Sequence, residues 1–318
     1  MKKIFILFIL NIVCMTTYAQ NTEKQMVLKI SSIKVAYLHL AGTGSATIDW
    51  GDGNSNSYDL VDFDEFWNTD YEMRIVFRID HKYDTSSDYT ITITGENIVY
   101  LESSPDNNMT EIDVSKNTAL THLTVRYNKQ LTSIDVSSNK ALKFLQCFGN
   151  SNLTDLNVRG AVALEWLDCE DNQLTSLDIN KNTALTRLMC YRNRLNHLDV
   201  SKNTALIQLS CAGNKLTELN LKGLTALEQL DCQENQLTDL DLSTNPALIQ
   251  LSCSYNRLTN LDVSNNTTLQ YLSCEVNREL TNLNLGNITS LKRLRCYATK
   301  LTEVDVSLNV ELEEFSLK

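Results

Sequence analysis

Four sets of residues in this 318-residue sequence are of types that carry chemistry. The first is a row of eight cysteines, Cys147, Cys169, Cys190, Cys211, Cys232, Cys253, Cys274 and Cys296, spaced 22, 21, 21, 21, 21, 21 and 22 residues apart. Thiols in a regular row can form disulfides, hold a metal or pack a core. The second is Asp168 and Glu170, two carboxylates on one short segment, the residue types that hydrolyse glycans as an acid–base pair. The third is Asp49, Asp52 and His81, which are metal-ligand types. The fourth is a row of carboxylates at Asp113, Asp135, Asp178, Asp199, Asp241, Asp262 and Asp305, with Asn157, Asn220 and Asn284 filling its gaps. Carboxylates and amides are oxygen donors of the kind calcium takes.

The spacing itself decides how most of these act. The ladder extends back to Val125 and Ser103 and forward to Leu317, giving eleven rungs. Each period contains two similar halves, Leu174–Asn182 and Leu185–Asn193, both reading L-x-x-L-x-φ-x-x-N with φ an apolar residue. In a strand, alternation sends Leu188 and Cys190 inward and Met189 outward. Every ladder cysteine therefore fills the slot that Val125 and Leu317 fill elsewhere, and the expectation is a small buried hydrophobe. Adjacent rungs at about 4.8 Å would fall within the Cα range of a disulfide. A metal site wants convergent ligands rather than a line, so no metal or cofactor is expected.

An asparagine three residues past φ can bond its own backbone and hold the corner. One such ladder runs Asn128, Asn150, Asn172, Asn193, Asn214, Asn235, Asn256 and Asn277, and breaks at Thr299. The other runs Asn117, Asn139, Asn182, Asn203, Asn245, Asn266 and Asn309, and breaks at Ala161, Leu224 and Ile288. Two strands per coil predict a flattened parallel β-solenoid with two sheets, one lined by cysteines and one by Val, Ile and Leu, roughly 50 Å long. The longer periods place an extra residue in the corners after Asn128, Asn150 and Asn277. The aspartate row faces outward on the second sheet; Lys116, Lys181, Lys202 and nearby hydroxyls are expected to relieve its repulsion more simply than calcium.

The preceding residues follow other rules. Lys2-Lys3, the apolar run Ile4–Met15 and Thr17-Tyr18-Ala19 have the form of an export signal cleaved after Ala19. Cys14 offers a rival reading as a lipid-anchor site, but Val13 stands where such a site wants a small residue. Residues 26–97 alternate as strands at Val27–Ile30, Val35–Leu40, Arg74–Ile79 and Tyr89–Thr94. Ile48-Asp49-Trp50-Gly51-Asp52-Gly53, His81-Lys82-Tyr83 and Tyr89–Ile93 resemble a PKD-type, immunoglobulin-like β-sandwich, with Asp59–Asp70 as a departure. Turn formation is the plainer role for its aspartates beside glycine. The expected division is a signal at 1–19, a small antiparallel β cap at 20–97 that shields the first open edge, and a repeat array at 98–318. The final repeat, Leu312–Lys318, has only charges to guard its edge.

The paired L-x-x-L-x-φ-x-x-N halves resemble a nested bacterial leucine-rich repeat over about 220 residues. The resemblance is to exported, Bacteroidetes-type, internalin-like proteins. It implies a mainly β, leucine-rich-repeat solenoid that binds proteins on host or neighbouring cells. The composition agrees with the boundary: leucine occurs 6 times in residues 1–100 and 42 times in residues 101–318. A net charge of −11 excludes a nucleic-acid partner, which needs a basic stripe. No later run is long enough to span a membrane. The sequence lacks a nucleophile elbow, a histidine cluster and a phosphate loop, so catalysis is not expected. Recognition is expected from outward residues that the repeat does not set: Phe144, Phe148, Trp166, Asp168, Glu170, Met189, Tyr191 and Arg192. Aromatics with arginines on a regular sheet suit protein binding, and aromatics with carboxylates and amides suit a glycan. The alternatives are a passive or edge-associating surface element and, more remotely, a glycan-active enzyme.

Overall fold

A computed structural model describes residues 24–63 and 78–317. The export segment, Cys14, residues 74–77 of an expected strand and the Asp59–Asp70 insert beyond Phe63 lie outside the described residues. The fold is a leucine-rich-repeat parallel β-solenoid. Three-residue strands, among them Phe144–Gln146, Trp166–Asp168, Arg187–Met189 and Gln208–Ser210, pair in parallel without slippage: Phe144↔Trp166, Trp166↔Arg187, Arg187↔Gln208. This ladder continues through every coil to Glu314–Ser316. Its inner face is the core. All eight cysteines are free thiols and fully buried, in line with Leu145, Leu167, Leu188 and their repeats. Burial drives the thiols away from ionisation; that of Cys190 is pushed up to about 12.

The expected second sheet exists only in part. It forms as two isolated pairs, Ser133–Asp135 with Asp155–Asn157 and Asn260–Asp262 with Asn282–Asn284. Both pairs join coils 22 residues apart, and among the described residues no coils 21 residues apart form one. The extra corner residue accompanies both pairs, although the third 22-residue step, from Met109–Asp113 to Ser133–Asp135, forms none. After Asn150 it lets the amides of Thr154 and Asp155 reach the Thr132 carbonyl, at 3.0 and 3.2 Å. In the shorter coils the inter-coil bond is taken up at the corner instead, as in Arg194 to Leu174 at 2.8 Å.

The aspartate row explains why the second side holds its shape without a ladder. At all ten positions, aspartate or asparagine, the side-chain Oδ1 accepts a hydrogen bond from the backbone N–H two residues on. The bonds run from 2.8 Å at Asp135 to 3.3 Å at Asn157. These are Asx turns, a local substitute for sheet bonds. They add a backbone contribution to the expected relief by hydroxyls and lysines, of which Ser201 and Lys202 both lower Asp199. Arg159 adds an ion pair to Asp178 at 2.7 Å.

The N-terminal strands join this array directly. Strand β1 (Gln25–Asp49) runs antiparallel to β2 (Ser55–Asp59) and β3 (Arg78–Ser103). The end of β3 is also the first rung, pairing Tyr100↔His122 and Ser103↔Val125 in parallel. Across it lies β1, with His39↔Glu102 and Leu40↔Leu101. The start of β1 pairs with β4 (Met109–Asp113), the first segment of the second side, through Val27↔Asp113 and Leu28↔Ile112. One strand thus covers both faces of the first coil. Its core is anchored by Trp50, which stacks on His81 at 4.7 Å and accepts the Tyr83 hydroxyl on its carbonyl at 3.0 Å. Asp52 bonds His81 at 2.7 Å and Asp49 caps the Gly51 amide at 3.0 Å, so all three chemistry-bearing residues there are engaged in a turn.

The Asx backbone bonds at Asp178 and Asp199, and the Ser243 and Ser264 hydroxyls followed by the backbone bonds at Asp241 and Asp262, hold these carboxyls below the ordinary aspartate range. A lowered folded value gives stability that is present above the ordinary value of 3.8 and drains as pH falls through the lowered ones. Replacing these four by asparagine, as the chain does at Asn157, Asn220 and Asn284, should keep the turn and remove the titration. The fall in melting temperature between pH 6 and pH 3 is expected to be smaller in that variant than in the parent, and an equal fall would refute the assignment.

Candidate recognition face

The outward side of the cysteine-side sheet carries seven of the eight expected site residues, and the eighth, Arg192, stands at the adjoining corner with φ 50°. Three outward rows run across the coils, and the structure distributes the residues among them. Phe144 and Trp166 stand in the first row, 6.2 Å apart and edge to face. Asp168 and Met189 stand in the second, and Phe148, Glu170 and Tyr191 in the third. Phe144 opens its strand, whereas Phe148 lies in the turn two residues past the strand's end at Gln146. The aromatics therefore make two strips rather than one apolar patch, with Gln146, Asp168 and Met189 between them.

The first strip begins earlier than sequence reasoning placed it. His122 stacks on Phe144 at 4.4 Å, with ring planes 10° apart, and Phe63 lies 4.9 Å from Tyr100 and 4.6 Å from His122. Burial, then the nearby Lys143, pushes the His122 imidazole down to about 3, so it stays neutral in the stack. Arg187 closes the strip from the other end, its guanidinium 5.4 Å from the Trp166 ring. Tyr100 and His122 could have been found by subtracting 22 twice from Phe144. They precede the first cysteine, so the cysteine ladder does not mark them.

The second strip is mixed. Phe148 meets Tyr127 edge to face at 5.1 Å, and Arg126 lies 5.9 Å from the Phe148 ring. Arg126 also pairs with the buried Glu102 at 2.7 Å, whose other oxygen takes the Tyr100 hydroxyl at 2.9 Å. Further along, the Tyr191 hydroxyl bonds Glu170, and Arg192 lies 3.6 Å from Asp171. A shallow depression of about 220 Å³ follows, lined by Tyr191, Arg192, Ala212, Gly213, Asp231, Gln233 and Glu234.

Asp168 is the one buried acid among the expected site residues, only 6% exposed. Burial first, then the Glu170 carboxylate, raises its carboxyl to about 7. Burial likewise raises Glu170 and Asp231. Two carboxyls with raised values are the raw material of general acid catalysis, but this pair sits on an open sheet face rather than in an enclosed cleft.

No family model matches the chain, and no curated protein matches it. Solved structures do. The chain is similar to the functional domain of InlJ from Listeria monocytogenes, which includes a cysteine ladder: 36% identity, 70% of this chain, 54% of that one, TM-score 0.61. The shared ladder agrees with the buried thiol row described above. YopM from Yersinia enterocolitica matches at 22% identity over 63% of this chain and 47% of that one, TM-score 0.49. The internalin InlF from L. monocytogenes matches at 19% identity over 65% of each, TM-score 0.44. The chain thus spans between about half and two-thirds of these solved chains. Its structural neighbours are internalins and other leucine-rich-repeat proteins.

A raised folded value gives the opposite sign to the aspartate row. The stability linked to protonated Asp168 is complete below 3.8 and is lost as pH rises through about 7. Asp168→Asn is expected to raise stability by about 1–3 kcal/mol at pH 8 and to change it little at pH 4. Urea denaturation at the two pH values measures this, and an equal effect at both would contradict it.

Proposed function

We propose that the chain is an exported, non-catalytic recognition protein, adhesin-like, that presents the outward face of the cysteine-side sheet to a protein on a host or neighbouring cell. The observation that carries this reading is the contrast between the two sides of each strand. Inward positions repeat leucine and cysteine coil after coil. Outward positions change at every coil from Tyr100 to Gln208, before the repeated Gln208, Gln229 and Gln250, and in that stretch collect Phe148, Trp166, Met189, Tyr191 and Arg192 beside acids. A repeat that served only to stack would not need a buried carboxylate such as Asp168 on its outer face, because burying a charge works against folding. The likeness to InlJ supports placing function on the ladder-bearing array. No helix among the described residues is long and apolar enough to cross a membrane.

In this reading residues 1–19 direct export, residues 20–97 form a PKD-like cap and residues 98–318 display the face. Asp168 and Glu170 act as recognition groups rather than as a hydrolytic pair, because an open sheet neither excludes water nor holds a sugar ring between two carboxyls. A screen of host-cell and bacterial surface proteins against the chain, repeated with Phe148→Ala and Tyr191→Ala, tests the proposal. Truncating an aromatic at the centre of an interface costs on the order of 2 kcal/mol, about 30-fold in affinity. A partner whose binding falls by that much in folded variants supports the face. A partner that binds both variants as well as the parent would place recognition elsewhere.

A further inference from the structure

Two histidines flank the first rung, residues 100–103, from opposite sides. His39 stands on β1 opposite Glu102, and His122 on β5 (His122–Val125) opposite Tyr100. One imidazole comes from the cap strand and the other from the next coil, so the joint between cap and array is held between them.

The groups around His39 leave little room for a further charge. Among the described residues its Nδ1 is buried without a hydrogen bond and stops 3.7 Å from the Glu102 carboxylate. That carboxylate is already occupied by Arg126 at 2.7 Å and by the Tyr100 hydroxyl at 2.9 Å. Arg78 stands opposite His39 on β3, its guanidinium 4.2 Å from the Tyr37 ring. One carboxylate thus faces two guanidiniums, and a proton on His39 would add a third cation to the joint. Burial first lowers the imidazole; Glu102 pulls the other way, and Arg78 and Arg126 oppose it, so the net shift is downward. His122 is held more deeply. Phe144, Phe63 and Tyr100 pack around its ring, Thr121 bonds its Nδ1 at 2.8 Å, and Lys143 is the charged neighbour.

A histidine held below its ordinary 6.5 contributes stability that is present above 6.5 and drains as pH falls towards the folded value, about 3 for His122. The face of the array answers with the opposite sign, because the contribution of raised Asp168 grows as pH falls through about 7. The aspartate row drains only below 3.8. Of the other two histidines, His197 is exposed on the array and His81 bonds Asp52 within the cap.

We propose that the joint is a pH-sensitive latch: mild acid opens the pairing of β1, the first rung and β5, while the coils from Cys147 onward stay folded. The latch is separate from the recognition reading and needs no partner. Opening leaves the first rung with an unpaired edge, which is a template for another strand. At pH 5.5 a freed histidine of ordinary value is protonated about ten to one. An opening that frees His122 therefore becomes about 10-fold easier between pH 7.5 and pH 5.5, and His39 adds to this.

Hydrogen exchange of the full chain, read by peptide mass spectrometry at pH 7.5 and pH 5.5 and corrected for the intrinsic rate, tests the latch. Peptides over residues 37–40 and 100–103 are expected to lose about 10-fold or more in protection, and peptides over Arg187–Met189 and Gln208–Ser210 less than about twofold. In the double variant His39→Gln, His122→Phe the loss at the joint should shrink to within about twofold. That variant keeps His81 and His197, so a loss that persists in it would overturn the assignment. No loss in the parent, or an equal loss in joint and array, would overturn it as well. The single variant His39→Gln, which leaves the aromatic packing in place, covers a double variant that does not fold. It should lose less protection than the parent, and an equal loss would count against the latch.

Discussion

Each coil of this protein depends on one buried asparagine. A chain that turns inward after every three-residue strand buries carbonyls and amides that no strand can pair, and each left unpaired costs about 1–3 kcal/mol. The first asparagine ladder meets that demand in full. The Asn214 amide donates to the carbonyls of Cys190 and Cys211, both at 3.0 Å, and its oxygen accepts the Leu195 amide at 2.9 Å. One side chain thereby ties its own coil to the coil before it. The same clasp forces the preceding residue into the left-handed region, from Tyr127 at φ 58° to Ala298 at 53°. Only Gly149 and Gly213 in that row adopt it freely; Val276, at 56°, is β-branched and strained. The stacking bonds outweigh this strain coil by coil, which leaves the exposed corner residue free in type.

The second ladder is a weaker version of the first. Asn203 donates to the carbonyls of Ile179 and Asn182, at 3.1 and 2.8 Å. Its own oxygen has no partner, and the same holds for Asn117, Asn139, Asn182, Asn245 and Asn266. The gain from two donated bonds is largely offset by the buried orphan oxygen. That balance accounts for the breaks at Ala161, Leu224 and Ile288, where an apolar residue replaces the asparagine. At the one break in the first ladder, Thr299 still bonds the Cys296 carbonyl at 2.9 Å. The second side accordingly relies on its Asx turns.

The inward face was legible from the sequence because burial leaves few choices: leucine, cysteine and asparagine recur at a fixed period, and each was found where the period put it. Three features were not legible. The loss of the second sheet accompanies the shorter corners of most coils, a length effect that the L-x-x-L-x-φ pattern does not encode. The double role of β1, closing both faces of the first coil, depends on tertiary pairing between residues about 60 to 90 apart. The split of the aromatics into two strips depends on which outward row each occupies. The outer face of the cysteine-side sheet could be named but not mapped, since most of its positions, unlike the aspartate row, obey no period.

The separation of the two faces is what links stability to function here. Because asparagine, leucine and cysteine carry the stacking from within, the outer rows can hold aromatics, arginines and a buried acid without disturbing the register. The most direct test is the contrast between the ladders. Asn214→Leu leaves the buried Leu195 amide unpaired and strips one of two bonds from the Cys190 and Cys211 carbonyls, which keep Asn193 and Asn235, and is expected to cost about 3 kcal/mol in urea denaturation. Asn203→Leu takes one bond from each of two carbonyls that keep a backbone amide, Ile179 from Asn182 and Asn182 from Leu185, removes an orphan oxygen and adds apolar contact, and is expected to cost about 1 kcal/mol or less. Equal losses, or a larger loss at Asn203, would contradict the account.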